Sequence, residues 1–569
     1  MIALSKFICF ILFILITTAL FFLTISYFLP ILNSSSCYLD LGFKILNLDN
    51  LLWRNIKYLF VIFSFLASMI VASNIIQVFS FYINISLKKL KRKNNTPNRN
   101  SLQLIVGKGL SSGKTLAIPE YGLYQNILIT GTIGSGKTSS AMYPFTKQLI
   151  NYKFNNNLKK LGILILDVKG NYYLQVLKYV KEFHRENDLI EIKIGGKYFY
   201  NPLDKPFLQP SVIANQLKTI LLLFSPNNSE SYWLDKAESS LTEAIKLCRL
   251  YNNNYVTFSE LHKLITKPDY YKEKINFLKE KFTQNKLSKK QIYNLLSAIN
   301  YFEKEFLSLD DRTLNILRSE ITRITGCFVS DYEIENTFCP KKEKINFHGF
   351  KDLINNGKIV VLNMNINEFR NLSKIIAAYL KIDFQTEVMR RLSNSNTSNR
   401  PVCFISDEYS EYVTATDANF FSQSREAKCI NIISTQSYNS LLNTLNNKYS
   451  AEIIIQNLVN KIWFRTDDIY TIESAQKQLG KCDKEKYSRT ISENAKQTNY
   501  NFFTRSLNSK DSNISESINT YLQYDYVYDT HFFTQQLETF SALCFLTDGL
   551  RILTPEKVEL FPYFKNNSK

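Results

Sequence analysis

Gly131, Gly136, Lys137 and Thr138 stand in the octapeptide GTIGSGKT, the G-x-x-x-x-G-K-[ST] spacing of a phosphate-cradling loop. Glycines let such a loop curl until its backbone N–H groups face phosphate oxygens. Thr132, Gly134, Ser135 and Ser139 complete the nucleotide-binding set. Lys137 is expected to reach the β- and γ-phosphates, and Thr138 to ligate Mg²⁺. The surroundings agree. NILIT (126–130) reads as a strand, and TSSAMYPFTKQLI (138–150) as a helix with its positive end at the phosphates. No Asn-Lys-x-Asp motif for guanine is present, so ATP is the expected nucleotide.

The same tripeptide, Gly-Lys-Thr, occurs earlier in KGLSSGKT (108–115), but Lys108 stands where the first glycine must be. Pro119 follows closely and would stop a helix. This copy reads as a Gly/Ser turn in a β-hairpin, with Lys114 uninvolved in phosphate binding.

A nucleotide hydrolase of this kind needs a carboxylate for Mg²⁺ and a second one to polarise water. PVCFISDEY (401–409) ends an apolar run in Asp407-Glu408, which assigns Asp407 to the metal and Glu408 to the general base. Ser406 is polar where an apolar residue is usual. CINIIST (429–435) ends at Gln436, a candidate γ-phosphate sensor. Arg425 could enter a neighbouring subunit's site as an arginine finger. ILDVKG (165–170) brings Asp167 and Lys169 towards the same edge, with Asp167 the competing metal carboxylate.

These residues need a sheet to hold them. NILIT, GILILDV (162–168), KIVVLNM (358–364), PVCFIS (401–406), CINIIST and KIWFR (461–465) are short β-branched runs. Most are apolar throughout, as buried parallel strands are, and helical stretches separate them. The fold class is therefore α/β, a nucleotide-binding motor domain over 93–209 and 341–569. Residues 210–340 carry no strand signal and read as an all-α insertion, with Trp233, Ala237, Leu241, Ala244 and Cys248 at helical spacing. Residues 481–525 are polar and read as a mobile insertion.

Residues 1–92 read as a membrane anchor. Segments 7–32 and 58–83 carry no charge and are each long enough to cross a bilayer of about 30 Å. LKKLKRK (87–93) follows the second, which sets both termini in the cytoplasm with a short outer loop at 34–57. The chain has 569 residues and a net charge of +19, which suits a polyanionic partner such as nucleic acid or an anionic membrane. Its nine Cys include no Cys-x-x-Cys pair and its four His are far apart, which argues against a zinc site.

The order ITGTIGSGKT, ILDVKGNY, YNPLD (200–204), helical insertion, FISDEY, ISTQS and NKIWFRTDD…AQKQLG (460–480), behind two apolar N-terminal segments, resembles the coupling ATPases of type IV secretion and conjugation, the TraG/TraD type. The tail FPYFKN (561–566) resembles that family's ending. The resemblance implies a membrane-anchored RecA-like hexamer. It would hand a relaxase–DNA complex or effector proteins to a secretion channel at the expense of ATP and Mg²⁺, with its motor in the cytoplasm. Val168 and Asn171 depart from the pattern, where Pro and an acid are common. Two other functions fit less well: an FtsK/HerA-like DNA translocase, and an ATP-gated docking platform that hydrolyses little.

Overall fold

A computed structural model describes residues 13–24, 26, 58–75 and 101–565, apart from 168, 225–230, 285–286, 394–398, 494–497, 502–505 and 510–513. It divides into two units, residues 1–101 and 102–569.

In the first unit, Tyr58–Ile75 is an 18-residue helix of mean hydropathy 2.0, long and apolar enough to cross a membrane. Phe13–Thr24 is a shorter apolar helix. The Phe21 ring meets Phe65 edge-on, with centroids 5.4 Å apart. Only one described helix thus reaches spanning length, where two spans are expected from the sequence. The remainder of segments 7–32 and 58–83, the outer loop and the basic flank lie outside the described residues.

The second unit is organised on one sheet of eleven strands. In chain order the strands are β1 (Gln103–Gly109), β2 (Thr115–Pro119), β3 (Ile127–Thr130), β4 (Gly162–Leu166), β5 (Leu189–Ile192), β6 (Ile359–Leu362), β7 (Val402–Ser406), β8 (Cys429–Thr435) and β9 (Asn460–Trp463). After them come β10 (Lys481–Glu493), β11 (Thr498–Asn501), β12 (Ser506–Ser509), β13 (Ile514–Tyr526), β14 (Ser541–Phe545) and β15 (Glu556–Leu560). The sheet order is β2-β1-β15-β14-β9-β3-β8-β7-β4-β6-β5.

From β9 to β5 all neighbours run parallel. Their side chains alternate between two apolar layers. Leu128, Leu164, Val360 and Phe404 enter one core, while Ile129, Ile165, Val361 and Ile405 enter the other. This is why the strands read as unbroken apolar runs. The second core is closed by helices Tyr143–Asn151 and Tyr172–Glu182, the first by Pro210–Leu222 and its followers. Leu189–Ile192 was too short a run to stand out in the sequence.

Beyond β9 the sheet turns antiparallel and takes in both ends of the unit. β14 pairs with β9, β15 with β14, β1 with β15 and β2 with β1. Residues 210–338 hold helices Pro210–Leu222, Ser231–Tyr251, Phe258–Thr266, Pro268–Thr283, Lys289–Asn300, Asp311–Thr325 and Tyr332–Phe338, and no strand among the described residues.

Residues 481–526 differ from the expected mobile insertion. β10 and β13 pair antiparallel from Lys481↔Tyr526 to Glu493↔Ile514, with β11 and β12 paired beyond them. Alternation explains the ribbon. Tyr487, Ile491, Ile518, Leu522 and Tyr524 share one face and are exposed, among the charges of Asp483, Glu485, Arg489 and Glu516, while Lys484, Ser488, Thr490, Ser517, Asn519 and Tyr521 share the other. Averaged over both faces, the segment reads as merely polar.

Candidate functional site

The loop 131–138 leaves the carboxyl end of β3. It is pinned on both sides: Gly131 N donates to Gln436 O at 3.2 Å, and Thr132 N to Arg465 O at 2.8 Å. A Cβ on Gly131 would lie 2.6 Å from Phe464 Cβ, so only glycine fits there. Gly136 has φ +99°, and a Cβ there would lie 2.6 Å from the Phe540 ring. The chain then enters a wide π-type turn, Lys137–Met142, which continues as helix Tyr143–Asn151. Lys137 is buried, and its Nζ donates to Gly131 O at 2.5 Å and Thr132 O at 3.1 Å, within the curl of the loop. Burial lowers its pKa, against the raising effect of Glu408 and Asp407.

Sheet register assembles the other groups. Thr130 pairs with Thr435, and Leu166 with Ser406, so Gln436, Asp167 and Asp407 leave the same carboxyl edge. Thr138 Oγ1 donates to Asp407 Oδ2 at 3.0 Å, which joins the two expected metal ligands. Glu408 has φ +49°, an uncommon conformation for a non-glycine residue, and this turns its carboxylate back over the edge. There Lys169 Nζ donates to Glu408 Oε1, and Gln436 Nε2 donates to Oε2 at 3.4 Å.

Asp167 is held by backbone donors, whereas Asp407 meets Thr138. Asp167 Oδ1 accepts from Lys169 N at 2.9 Å and its Oδ2 from Tyr172 N at 3.2 Å, so it anchors the start of helix Tyr172–Glu182. Arg425 is exposed in the turn that feeds the amino end of β8, where Lys428 N donates to Arg425 O. The seven residues of β8, about 23 Å of strand, separate it from this chain's own loop. The first Gly-Lys-Thr closes the β1–β2 hairpin. Gly113 (φ +64°) donates to Gly109 O, and Ser112 donates from N and Oγ to the Glu556 carboxylate.

Three contacts at the loop are not visible in the sequence. The sequence sets Lys169 near the edge, and the β4–β7 register identifies its partner as Glu408. Phe540 carries no sequence signal and the tail FPYFKN only a family resemblance, yet Phe540 N donates to Ser135 O at 3.2 Å and Tyr563 N to Ser139 O at 3.0 Å. Ser406, out of place by pattern, forms a 2.5 Å hydrogen bond with the Tyr412 hydroxyl, which satisfies it in the core.

A buried ion pair fixes the segment that follows Glu408. Lys381 Nζ lies 2.6 Å from Asp417 Oδ2, both side chains fully buried. Asp417 also accepts from Tyr409 OH, from Thr414 N at 2.9 Å and from Gln385 Nε2 at 2.9 Å.

Burial raises Asp167 to about 6, against the lowering effect of its two N–H donors. Asp407 is also raised, by burial first and then by Glu408. Between pH 4 and 6 the folded protein keeps a proton on Asp167 that the unfolded chain has lost, so its contribution to stability falls as pH rises through that window. Asp167→Asn, measured without nucleotide or metal, is expected to flatten the dependence of melting temperature on pH from about 4 to 6.5. Parallel curves for the two proteins would rule Asp167 out as the source.

A family model described as the TraM recognition site of TraD and TraG matches residues 401–520, the stretch with Asp407, Glu408 and Gln436. No curated protein matches the chain. Among solved structures, the fold matches the bacterial conjugative coupling protein TrwBdeltaN70 in an unbound form, with TM-score 0.52, 12% identity, and coverage of 83% of this chain and 91% of that one. It also matches the plasmid coupling protein TrwB in complex with ADP and Mg²⁺, with TM-score 0.51, 12% identity, and coverage of 82% and 96%. TrwB in complex with the GTP analogue GDPNP gives the same TM-score, identity and coverage.

Proposed function

We propose that this chain, which resembles the type IV secretion coupling ATPases in its family-model match and in its fold, hydrolyses ATP to drive DNA, protein or both into a secretion channel. The observation that supports this best is the convergence of Lys137, Thr138, Asp407, Glu408 and Gln436 at one sheet edge.

Thr138 and Asp407 offer adjacent hard oxygen ligands, a donor set that fits Mg²⁺. Mg²⁺, when bound, supplies neutralising charge to the phosphates. Lys137 adds a second positive charge, already directed into the loop. Glu408 accepts the proton of the attacking water, and Gln436, hydrogen-bonded to Glu408, senses whether the γ-phosphate is in place. TrwB binds ADP with Mg²⁺ and also a GTP analogue, which supports the same ligand class here. The helix Tyr58–Ile75 supports a membrane anchor, and the +19 charge supports a nucleic-acid cargo. A RecA-like hexamer, a relaxase–DNA complex as substrate, and Arg425 acting on a neighbouring subunit belong to the same reading.

One observation favours an ATP-gated docking platform that hydrolyses little: Lys169 holds the Glu408 carboxylate that hydrolysis needs. An ATPase assay of the full chain with and without single-stranded or duplex DNA at low salt separates the two. The motor reading expects DNA to raise turnover, and the absence of any rise contradicts a DNA motor.

The two Gly-Lys-Thr copies give an internal control. Lys137→Ala is expected to reduce ATP hydrolysis to background, whereas Lys114→Ala, in the hairpin turn, leaves it nearly intact. Equal loss from both would contradict the assignment of the loop.

A further inference from the structure

On the far side of the loop from Asp407 and Glu408 lies an aromatic cluster with no role in phosphate chemistry. Phe540 immediately precedes β14, and residues 561–565 follow β15. Ser541 pairs with Glu559, and β14 lies beyond β9 from β3. Phe540 and the tail therefore emerge at the same carboxyl edge as the loop, but on its β9 side, whereas Asp407 and Glu408 lie on its β8–β7 side.

The tail is fastened to the loop's helix. Tyr563 N donates to Ser139 O, and its ring meets Tyr143 edge-on at 5.3 Å. Phe564 packs on Phe540 at 5.7 Å and on Tyr563 at 5.5 Å. Phe564 is nevertheless 49% exposed and Tyr563 37% exposed. Phe540 has φ +67°, a left-handed conformation that is a genuine outlier for a bulky side chain. Such strain persists only where the surroundings enforce it, and it is concentrated at ligand sites. Here Phe540 N donates to Ser135 O and Phe540 O accepts from Leu560 N, which hold its ring against Gly136.

A phosphate chain bound in this loop would have a direction. On the nucleotide reading above, its γ end would face Asp407, Glu408 and Lys137, so ribose and base would leave at the other end, past Ser139. We infer that Phe540, Tyr563 and Phe564 form the platform on which the heteroaromatic base of the bound nucleotide stacks. This rests on the nucleotide reading above and extends it to the base. A ring surface offers a π-face to any base and few hydrogen-bonding groups, so purines are accepted without strong choice between adenine and guanine.

The test compares two probes, ATP and inorganic tripolyphosphate, which shares the phosphates but has no base. Binding is measured by calorimetry on the full chain in detergent. Phe564→Ala is expected to weaken ATP about tenfold to a hundredfold, as loss of a stacked ring does, and to leave tripolyphosphate within about twofold. Phe564→Trp is expected to restore ATP affinity, which separates stacking from misfolding. Unchanged ATP affinity in Phe564→Ala overturns the platform, as does an equal loss for both probes, which would make the tail a structural brace. If the unaltered chain binds tripolyphosphate and ATP equally, the platform fails while the phosphate loop stands. If it binds neither, the nucleotide reading itself fails.

Discussion

Glu408→Gln is expected to leave ATP binding within about twofold and to lower hydrolysis by about 10²–10⁴-fold, the usual contribution of a positioned general base. The amide keeps the size and hydrogen-bonding reach of the carboxylate, so the contact with Gln436 can survive. What disappears is the ability to take a proton from water. The substitution also releases Lys169, whose side chain is half exposed and can be solvated without a partner. A companion variant, Lys169→Met, separates two roles for that lysine. Faster turnover means that the ion pair restrains Glu408, and slower turnover means that it orients Glu408. Initial rates with saturating ATP and Mg²⁺, beside equilibrium binding of ATP, supply the comparison. Glu408→Gln with unchanged turnover would move catalysis elsewhere and leave the docking platform as the better function.

Lys381→Met is expected to destabilise the second unit by about 3–5 kcal/mol, the cost of leaving one member of a buried pair uncompensated. Asp417 would remain buried against Tyr409, Thr414 and Gln385 with no cation to balance it. Burial already lowers the pKa of Lys381, and Asp417 opposes that shift, so the pair is coupled. Asp417 also fixes the backbone just after Glu408, so the same variant should lose activity before it unfolds. A lowered denaturation midpoint is the readout, and Lys381→Met/Asp417→Asn should recover part of it. An unchanged midpoint in the single variant would show that the pair carries no net stability.

Much of the site was legible because its signals are local. Gly131, Gly136, Lys137 and Thr138 sit in one octapeptide, and the end of an apolar strand announces Asp407 and Glu408. The parallel strands could be read from unbroken aliphatic runs such as ILIT and IVVL, which only burial on both faces explains. Three things were hidden for physical reasons. The Lys169–Glu408 pair depends on β4 lying beside β7, and 235 residues separate those strands in the chain, between Leu166 and Val402. The ribbon β10–β13 conceals its apolar face because every second residue is polar. The hold of Phe540 on the loop rests on a left-handed backbone that no residue type announces.

The sheet order has a consequence for how the protein is made. The β1–β2 hairpin, synthesised early, joins the sheet only through β15, and β15 reaches β9 only through β14. The phosphate loop likewise leaves the ribosome about 430 residues before the tail that bonds to Ser139, roughly 20–90 s at ordinary elongation rates. For that interval the early strands have no neighbour on one side and the loop lacks its contacts with Phe540 and Tyr563. Ribosome stalling or chain truncation short of residue 541 would leave the hairpin undocked and Ser135 and Ser139 without their partners Phe540 and Tyr563.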